Sequence, residues 1–160
     1  MQALKKLTLS INGRTLSVEE PANATLLETL REHGFYEVKN GCEKGDCGAC
    51  AVLVNGVAVD SCLTLTWTVE GQAITTVAGL NQGDTPHPLI DAFIKEGAVQ
   101  CGYCTPGLII AAQSMLAVTP EPNEDDIRLG LSGNLCRCTG YTRVFEAVRQ
   151  AASAMQKAKA

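Results

Sequence analysis

The chain has 160 residues, 46% of them apolar, and a formal net charge of −4; it can bury a core in one domain or two small ones and is not a disordered chain. The acidic balance leaves no electrostatic footprint for nucleic acid, the longest basic run being the pair Lys5-Lys6. No stretch reaches the length of a membrane span, and Met1 to Ile11 alternates polar and apolar residues instead of forming the apolar block of a secretion signal. Residence in the cytoplasm is therefore expected, with export already folded on a partner as the alternative.

Leu7, Leu9 and Ile11 alternate with polar residues, Asn12-Gly13 follows, and Leu16 and Val18 resume the alternation. Asn-Gly between alternating runs predicts a hairpin, because both turn residues need positive φ. A two-residue loop pairs Leu9 with Leu16 and Leu7 with Val18 on one face. Thr25-x-x-Glu28 is a capping box opening an amphipathic helix through Leu26, Leu27 and Leu30, which Gly34 ends. A second hairpin is expected from Val52 and Val54 through Asn55-Gly56 to Val57 and Val59, and a closing strand from Ile74 and Val77. The order is that of an α+β unit, a helix packed on a small mixed sheet.

The composition changes near residue 80, where Gly83, Pro86 and Pro88 form a loop. Leu89, Ile90, Phe93 and Ile94 make an apolar helical stripe closed by Gly97. Thr105-Pro106 reads as an N-cap before a proline, opening a mostly buried helix through Leu108, Ile109, Ala112, Met115 and Leu116. Asn123 caps a helix that begins with Glu124, Asp125 and Asp126 and stops at Gly133; a last helix carries Val144, Phe145, Val148 and Ala152, and the tail from Met155 to Ala160 is expected to fray. Two helical hairpins, each joined by a cysteine loop, predict a four-helix bundle with both loops at one end. The expected division is residues 1–80 and 81–160.

Eight cysteines in a chain of this kind point to metal or redox chemistry rather than disulfides. They fall into two sets of four. Cys42-x4-Cys47-x2-Cys50, with Cys62 further on, is the plant-type [2Fe–2S] spacing. An oxidised cluster with its four thiolates carries a net charge of about −2, so its loop must supply compensating dipoles. Gly41, Gly45 and Gly48 let the loop fold tightly and aim N–H groups at sulfur, while Ala49 and Ala51 leave room. Zinc, usually held by two short cysteine pairs, fits this loop poorly.

The second set is more open. Cys101-x-x-Cys104 alone suits zinc, a thioredoxin-like redox pair or an iron–sulfur cluster. Cys136-x-Cys138 favours iron–sulfur over zinc without deciding it, since a one-residue gap needs a sharply bent loop, which Gly133 and Gly140 permit.

Three segments together resemble a known family. Gly41-Cys-Glu-Lys-Gly-Asp-Cys-Gly-Ala-Cys50, Gln100-Cys-Gly-Tyr-Cys-Thr-Pro-Gly107 and Gly133-Asn-Leu-Cys-Arg-Cys-Thr-Gly-Tyr141 look like the signatures of the iron–sulfur small subunit of the xanthine oxidase, or molybdenum hydroxylase, family. The resemblance spans nearly the whole chain. It implies an N-terminal β-grasp, plant-type ferredoxin-like domain followed by an all-α four-helix-bundle domain, each holding a [2Fe–2S] cluster. It further implies a large partner subunit bearing molybdopterin, where a C–H bond is hydroxylated, carbon monoxide oxidised or an aromatic thioester reduced. By the same resemblance Cys101, Cys104, Cys136 and Cys138 hold the cluster nearer molybdenum, and Cys42, Cys47, Cys50 and Cys62 the outer one. Gln100 and Cys138 match positions that contact the pterin. Thr105-Pro106-Gly107 resembles the three-subunit branch with an FAD-bearing medium subunit more than the flavin-free branch that passes electrons to cytochromes. The role implied is relay of single electrons to a flavin subunit or external acceptor.

Other residues have plainer readings. Gln100 alone could cap a helix end, and Arg137 could tune a cluster or face solvent or a partner. Tyr103 and Tyr141 are expected to pack beside the clusters. His33 and His87 fit no ligand spacing, His33 suiting a helix C-terminus. Glu124 to Asp126 are helix-start acids, and Trp67 suits a core or an interface. No catalytic triad or phosphate loop is visible, so no catalytic residue is assigned and no substrate site is expected on this chain. A zinc-stabilised interaction module and a free-standing ferredoxin are the competing readings.

Overall fold

The computed structural model describes residues 4–81 and 83–158. The first three residues of the Met1–Ile11 stretch and the last two of the Met155–Ala160 tail lie outside them.

Asn12 and Gly13, at φ 51° and 75°, turn β1 (Leu4–Ile11) into β2 (Arg14–Pro21), and the register pairs Leu9 with Leu16 and Leu7 with Val18. The second hairpin, β3 (Ala51–Val54) and β4 (Val57–Asp60), turns on Asn55 and Gly56 in the same left-handed conformation. β5 (Ala73–Thr75) lies parallel to β1 and antiparallel to β3, giving the sheet order β2-β1-β5-β3-β4. The expected closing strand is shorter than predicted, because Val77 does not belong to it. Buried Thr76 ends the strand: its N–H donates to the Asn12 side chain and its hydroxyl to Glu37, and Val77 to Leu80 then form a 3-10 turn.

Helix α1 (Leu26–Glu32) carries the full capping box of Thr25 and Glu28. It lays Leu26, Leu27 and Leu30 against Leu7, Leu9, Ile11, Val52, Val54 and Ile74. The opposite face of β3 is also covered: Ala51 and Leu53 meet Ile110 of helix α3 (Thr105–Val118). Every residue of β3 is therefore buried. The same arrangement explains why α3 is apolar nearly all round, since one side faces the sheet and the other the helical core.

That helical core gathers α2 (Pro88–Lys95), α3, α4 (Glu124–Gly130) and α5 (Thr142–Lys157) around Phe93, Leu108, Ile127, Val144 and Val148. The most extensive helix–helix packing is between α2 and α5, elements from different predicted hairpins. Four expectations of detail are corrected. The N-cap of α3 is Cys104, not Thr105, and Pro106 sits at the second helical position, where its missing N–H costs nothing. α4 stops at Gly130, with a turn carrying the chain past Gly133. The tail stays helical through Lys157 because Met155 packs on the core and the Gln156 amide donates to the Pro120 carbonyl. Among the described residues no helix is long and apolar enough to cross a membrane.

Candidate metal centres

The first cysteine loop runs between α1 and β3. Its tight course aims backbone donors at sulfur: the N–H groups of Lys44 and Asp46 donate to Cys42 Sγ at 3.4 and 3.3 Å. Those two bonds bring the Cys42 thiol down to about 7. Cys47 lies beside Cys42 and is raised chiefly by burial. Cys50, immediately before β3, and Cys62, just past β4, are buried and adjacent; burial first, then the neighbouring Cys62, pushes Cys50 up to about 12. The Ser61 hydroxyl, buried, donates to the Cys50 carbonyl at 2.7 Å and locks the end of one strand to the other. A side chain at Gly41 would put its Cβ 2.6 Å from Cys47 Sγ, so the loop has no room for one.

The second set sits on two helix connections. Cys101 and Cys104 lie between α2 and α3, and Cys136 and Cys138 immediately before α5. Cys101 and Cys138 are exposed, with their sulfurs 3.6 Å apart; Cys104 and Cys136 are half-buried and adjacent. Burial pushes Cys104 up to about 12. At Cys136 burial works in the same upward direction, but it is outweighed by hydrogen bonds from the Thr139 hydroxyl and the backbone of Thr139 and Cys138, and the thiol falls to about 7. The bend between Cys136 and α5 is held by Tyr141, whose backbone takes φ 67°. Its phenol oxygen accepts the Cys136 N–H at 2.7 Å and donates to the Asn134 carbonyl at 3.0 Å, while its ring stacks on Phe145.

Each quartet thus divides into two adjacent pairs, Cys42 with Cys47 and Cys50 with Cys62, then Cys101 with Cys138 and Cys104 with Cys136. Among the described residues no three of these side chains close around one point that could hold a single metal ion. Two thiolates for each of two irons is the donor set that a [2Fe–2S] cluster requires. Thiols raised to about 12 would be held as thiolates only by a strong local cation, which iron supplies.

The two sets meet. The Leu135 N–H donates to the Cys47 carbonyl at 3.0 Å, the Asn134 amide to the Gly48 carbonyl at 3.1 Å, and the Tyr103 hydroxyl to the Asn40 carbonyl. Between them lies a cleft of about 290 Å³ whose wall includes Cys42 and Cys47 from one quartet and Cys101, Cys104, Cys136 and Cys138 from the other.

Gln100 is exposed next to Cys101 and caps neither flanking helix, the caps being Glu96 for α2 and Cys104 for α3, and exposed Arg137 lines the cleft. His33 is the C-cap of α1 and His87 the N-cap of α2. Trp67 is half-exposed with the Lys5 ammonium 4.8 Å from its ring. The acids from Glu124 to Asp126 fill the first turn of α4, Asp126 closing a capping box with Asn123. Sequence reasoning passed over Asn134 and Thr139 as individuals. A polar residue immediately before a ligand motif and a hydroxyl immediately after it were the available signals.

Comparison with known proteins agrees with this geometry. Residues 9–78 match the 2Fe-2S iron-sulfur cluster binding domain family and residues 76–149 the [2Fe-2S] binding domain family. The chain is 43% identical to the nicotinate dehydrogenase small FeS subunit of Eubacterium barkeri, over 91% of this chain and 93% of that one. It is 47% identical to the xanthine dehydrogenase iron-sulfur-binding subunit of Escherichia coli O157:H7, over 87% and 89%. The solved structure of quinoline 2-oxidoreductase from Pseudomonas putida 86 superposes with a TM-score of 0.93 at 40% identity, covering 99% of this chain and 100% of the matched one. This chain belongs to the iron–sulfur small-subunit family of the xanthine oxidase, or molybdenum hydroxylase, type, and is a subunit of an oxidoreductase complex.

Proposed function

We propose that this chain relays single electrons from a molybdopterin centre on a large partner subunit to a medium, FAD-bearing subunit or an external acceptor. Bound clusters would supply one-electron carriers, matching a two-electron oxidation to single-electron steps. Cys42, Cys47, Cys50 and Cys62 would hold the outer cluster on a β-grasp, ferredoxin-like domain of residues 1–80. Cys101, Cys104, Cys136 and Cys138 would hold the molybdenum-proximal one on a four-helix-bundle domain of residues 81–160. Exposed Gln100 and Cys138 are the residues suited to meet a partner's pterin, since a donor outside this chain can reach only its surface.

One observation carries the reading: a single hydrogen bond, Leu135 N–H to the Cys47 carbonyl, joins a residue of the first quartet to the neighbour of Cys136 in the second. Cys42 and Cys47 of the first quartet line one cleft with all four cysteines of the second, which supports a path between the two sets. The rest of the chain's contribution is to ligate, to exclude bulk water from Cys50 and Cys62, and to set the dipoles at Cys42 and Cys136.

The test is electron paramagnetic resonance of the dithionite-reduced native complex together with metal analysis. Two distinct rhombic signals, four irons per chain and co-purification with a larger molybdenum-containing subunit are expected. A colourless chain holding zinc, or a chain that stays alone in fresh extract, would overturn the proposal.

A further inference from the structure

We propose that Thr139 sets the reduction potential of the second centre through its hydroxyl, which donates to Cys136 Sγ at 3.1 Å. This rests on the reading of Cys101, Cys104, Cys136 and Cys138 as cluster ligands. Three features of the site support it. Among the described residues, Thr139 supplies the only side-chain hydroxyl that donates to a cysteine sulfur; the donors at Cys42 are backbone N–H groups, which substitution cannot remove. The partners assign the donor: Thr139 Oγ1 accepts the Tyr141 N–H at 3.3 Å, and a ligating thiolate can only accept, so the hydroxyl proton is the one shared with Cys136 Sγ. The Thr139 backbone N–H also reaches Cys136 Sγ, at 3.4 Å, so the residue is anchored with or without the hydroxyl.

The physics is that of a dipole beside a charge that changes. Reduction adds an electron whose density spreads onto the ligand sulfurs, so a donor aimed at one of them stabilises the reduced form more than the oxidised form. Such a bond raises the potential, and Thr139 is half-buried, where water cannot replace a deleted donor at full strength. Thr139 is a positioning residue: it acts through Cys136 and touches no substrate.

The experiment is a redox titration of the intact complex followed by electron paramagnetic resonance, comparing the native chain with Thr139→Val, Thr139→Ala and Thr139→Ser. Valine and alanine should move the midpoint of one rhombic signal to more negative potential and leave the other in place. Serine should restore the native midpoint. Unchanged midpoints in valine and alanine, or equal shifts of both signals, would overturn the inference while leaving the cluster reading intact. Loss of iron from valine and alanine alike would also overturn it, making Thr139 a structural support and not a tuning group. A native complex with a single rhombic signal would remove the second centre itself, and the inference with it.

Discussion

The side-chain amide of Asn134 donates to the backbone carbonyl of Gly48 at 3.1 Å, and both groups are withdrawn from solvent. This bond ties the residue two before Cys136 to the residue immediately after Cys47. The Gly48 carbonyl also accepts the Ala51 N–H at 3.2 Å, so deleting the Asn134 amide removes one of its two partners and costs about one net hydrogen bond, about 0.5–1.5 kcal/mol. Asn134→Ala should therefore lower stability by about that amount, and Asn134→Asp should be no better, since a carboxylate cannot donate. Thermal unfolding of the iron-loaded protein measures the loss. Melting indistinguishable from the native chain would show that the contact holds nothing together.

Gly107 and Gly133 make a matched pair of tests. A Cβ on Gly107, in the first turn of α3, would run into the Gly48 carbonyl and lie 3.2 Å from Ala49 Cα, where backbone meets backbone and nothing can rotate away. A Cβ on Gly133 meets nothing within 4 Å. Gly107→Ala should cost about 1–3 kcal/mol as overpacking and hasten loss of iron from both centres, because it wedges the halves apart. Gly133→Ala should stay within about 0.5 kcal/mol of the native chain. Denaturant midpoints read side by side with iron content decide it, and a reversed order of severity would refute the close-approach argument.

Local chemistry was legible in the sequence wherever it acts over a few residues. The two Asn-Gly hairpins and their register, the Thr25 and Asn123 caps and the stripe of α1 are all written in short-range patterns. The cysteine spacing likewise put four cysteines in each of the two regions that match iron–sulfur domain families. What could not be read is what depends on pairs far apart in the chain. Asn134 with Gly48, Leu135 with Cys47 and Ile110 with Leu53 leave no periodic trace. The end of β5 was misplaced for the same reason, since Asn12 and Glu37 stop it from outside its own sequence. Even the buried character of α3, visible as an apolar run, did not say that the sheet covers one of its sides.

Tyr141 holds the second loop in its bend, and its hydroxyl makes two of the bonds that do so, accepting from Cys136 and donating to Asn134. Tyr141→Phe keeps the ring on Phe145 and removes only the oxygen. The Cys136 N–H is then left without its partner, and because the site is only half-buried the cost is about 1 kcal/mol. Air exposure should bleach iron from the second centre faster than in the native complex, with the first centre's rhombic signal unchanged over the same interval. Equal rates at both centres would mean that the hydroxyl does not support the ligand loop.

His87 gives a pH dependence whose sign can be worked out. It caps α2, its Nδ1 accepting the Leu89 N–H at 3.3 Å, which only the unprotonated nitrogen can do. Burial holds the imidazole below its usual range. A folded-state value beneath the unfolded one, about 6.5, means that the unfolded chain binds the proton more readily. The stabilisation is therefore present above about pH 6.5 and is lost as the pH falls from there through the depressed folded value. His87→Asn supplies a capping side chain that does not titrate. Between pH 7.5 and 5.5 the urea midpoint of the native chain should fall further than that of His87→Asn, every other group titrating alike in both. Parallel midpoints would show that the helix start does not depend on the neutral imidazole.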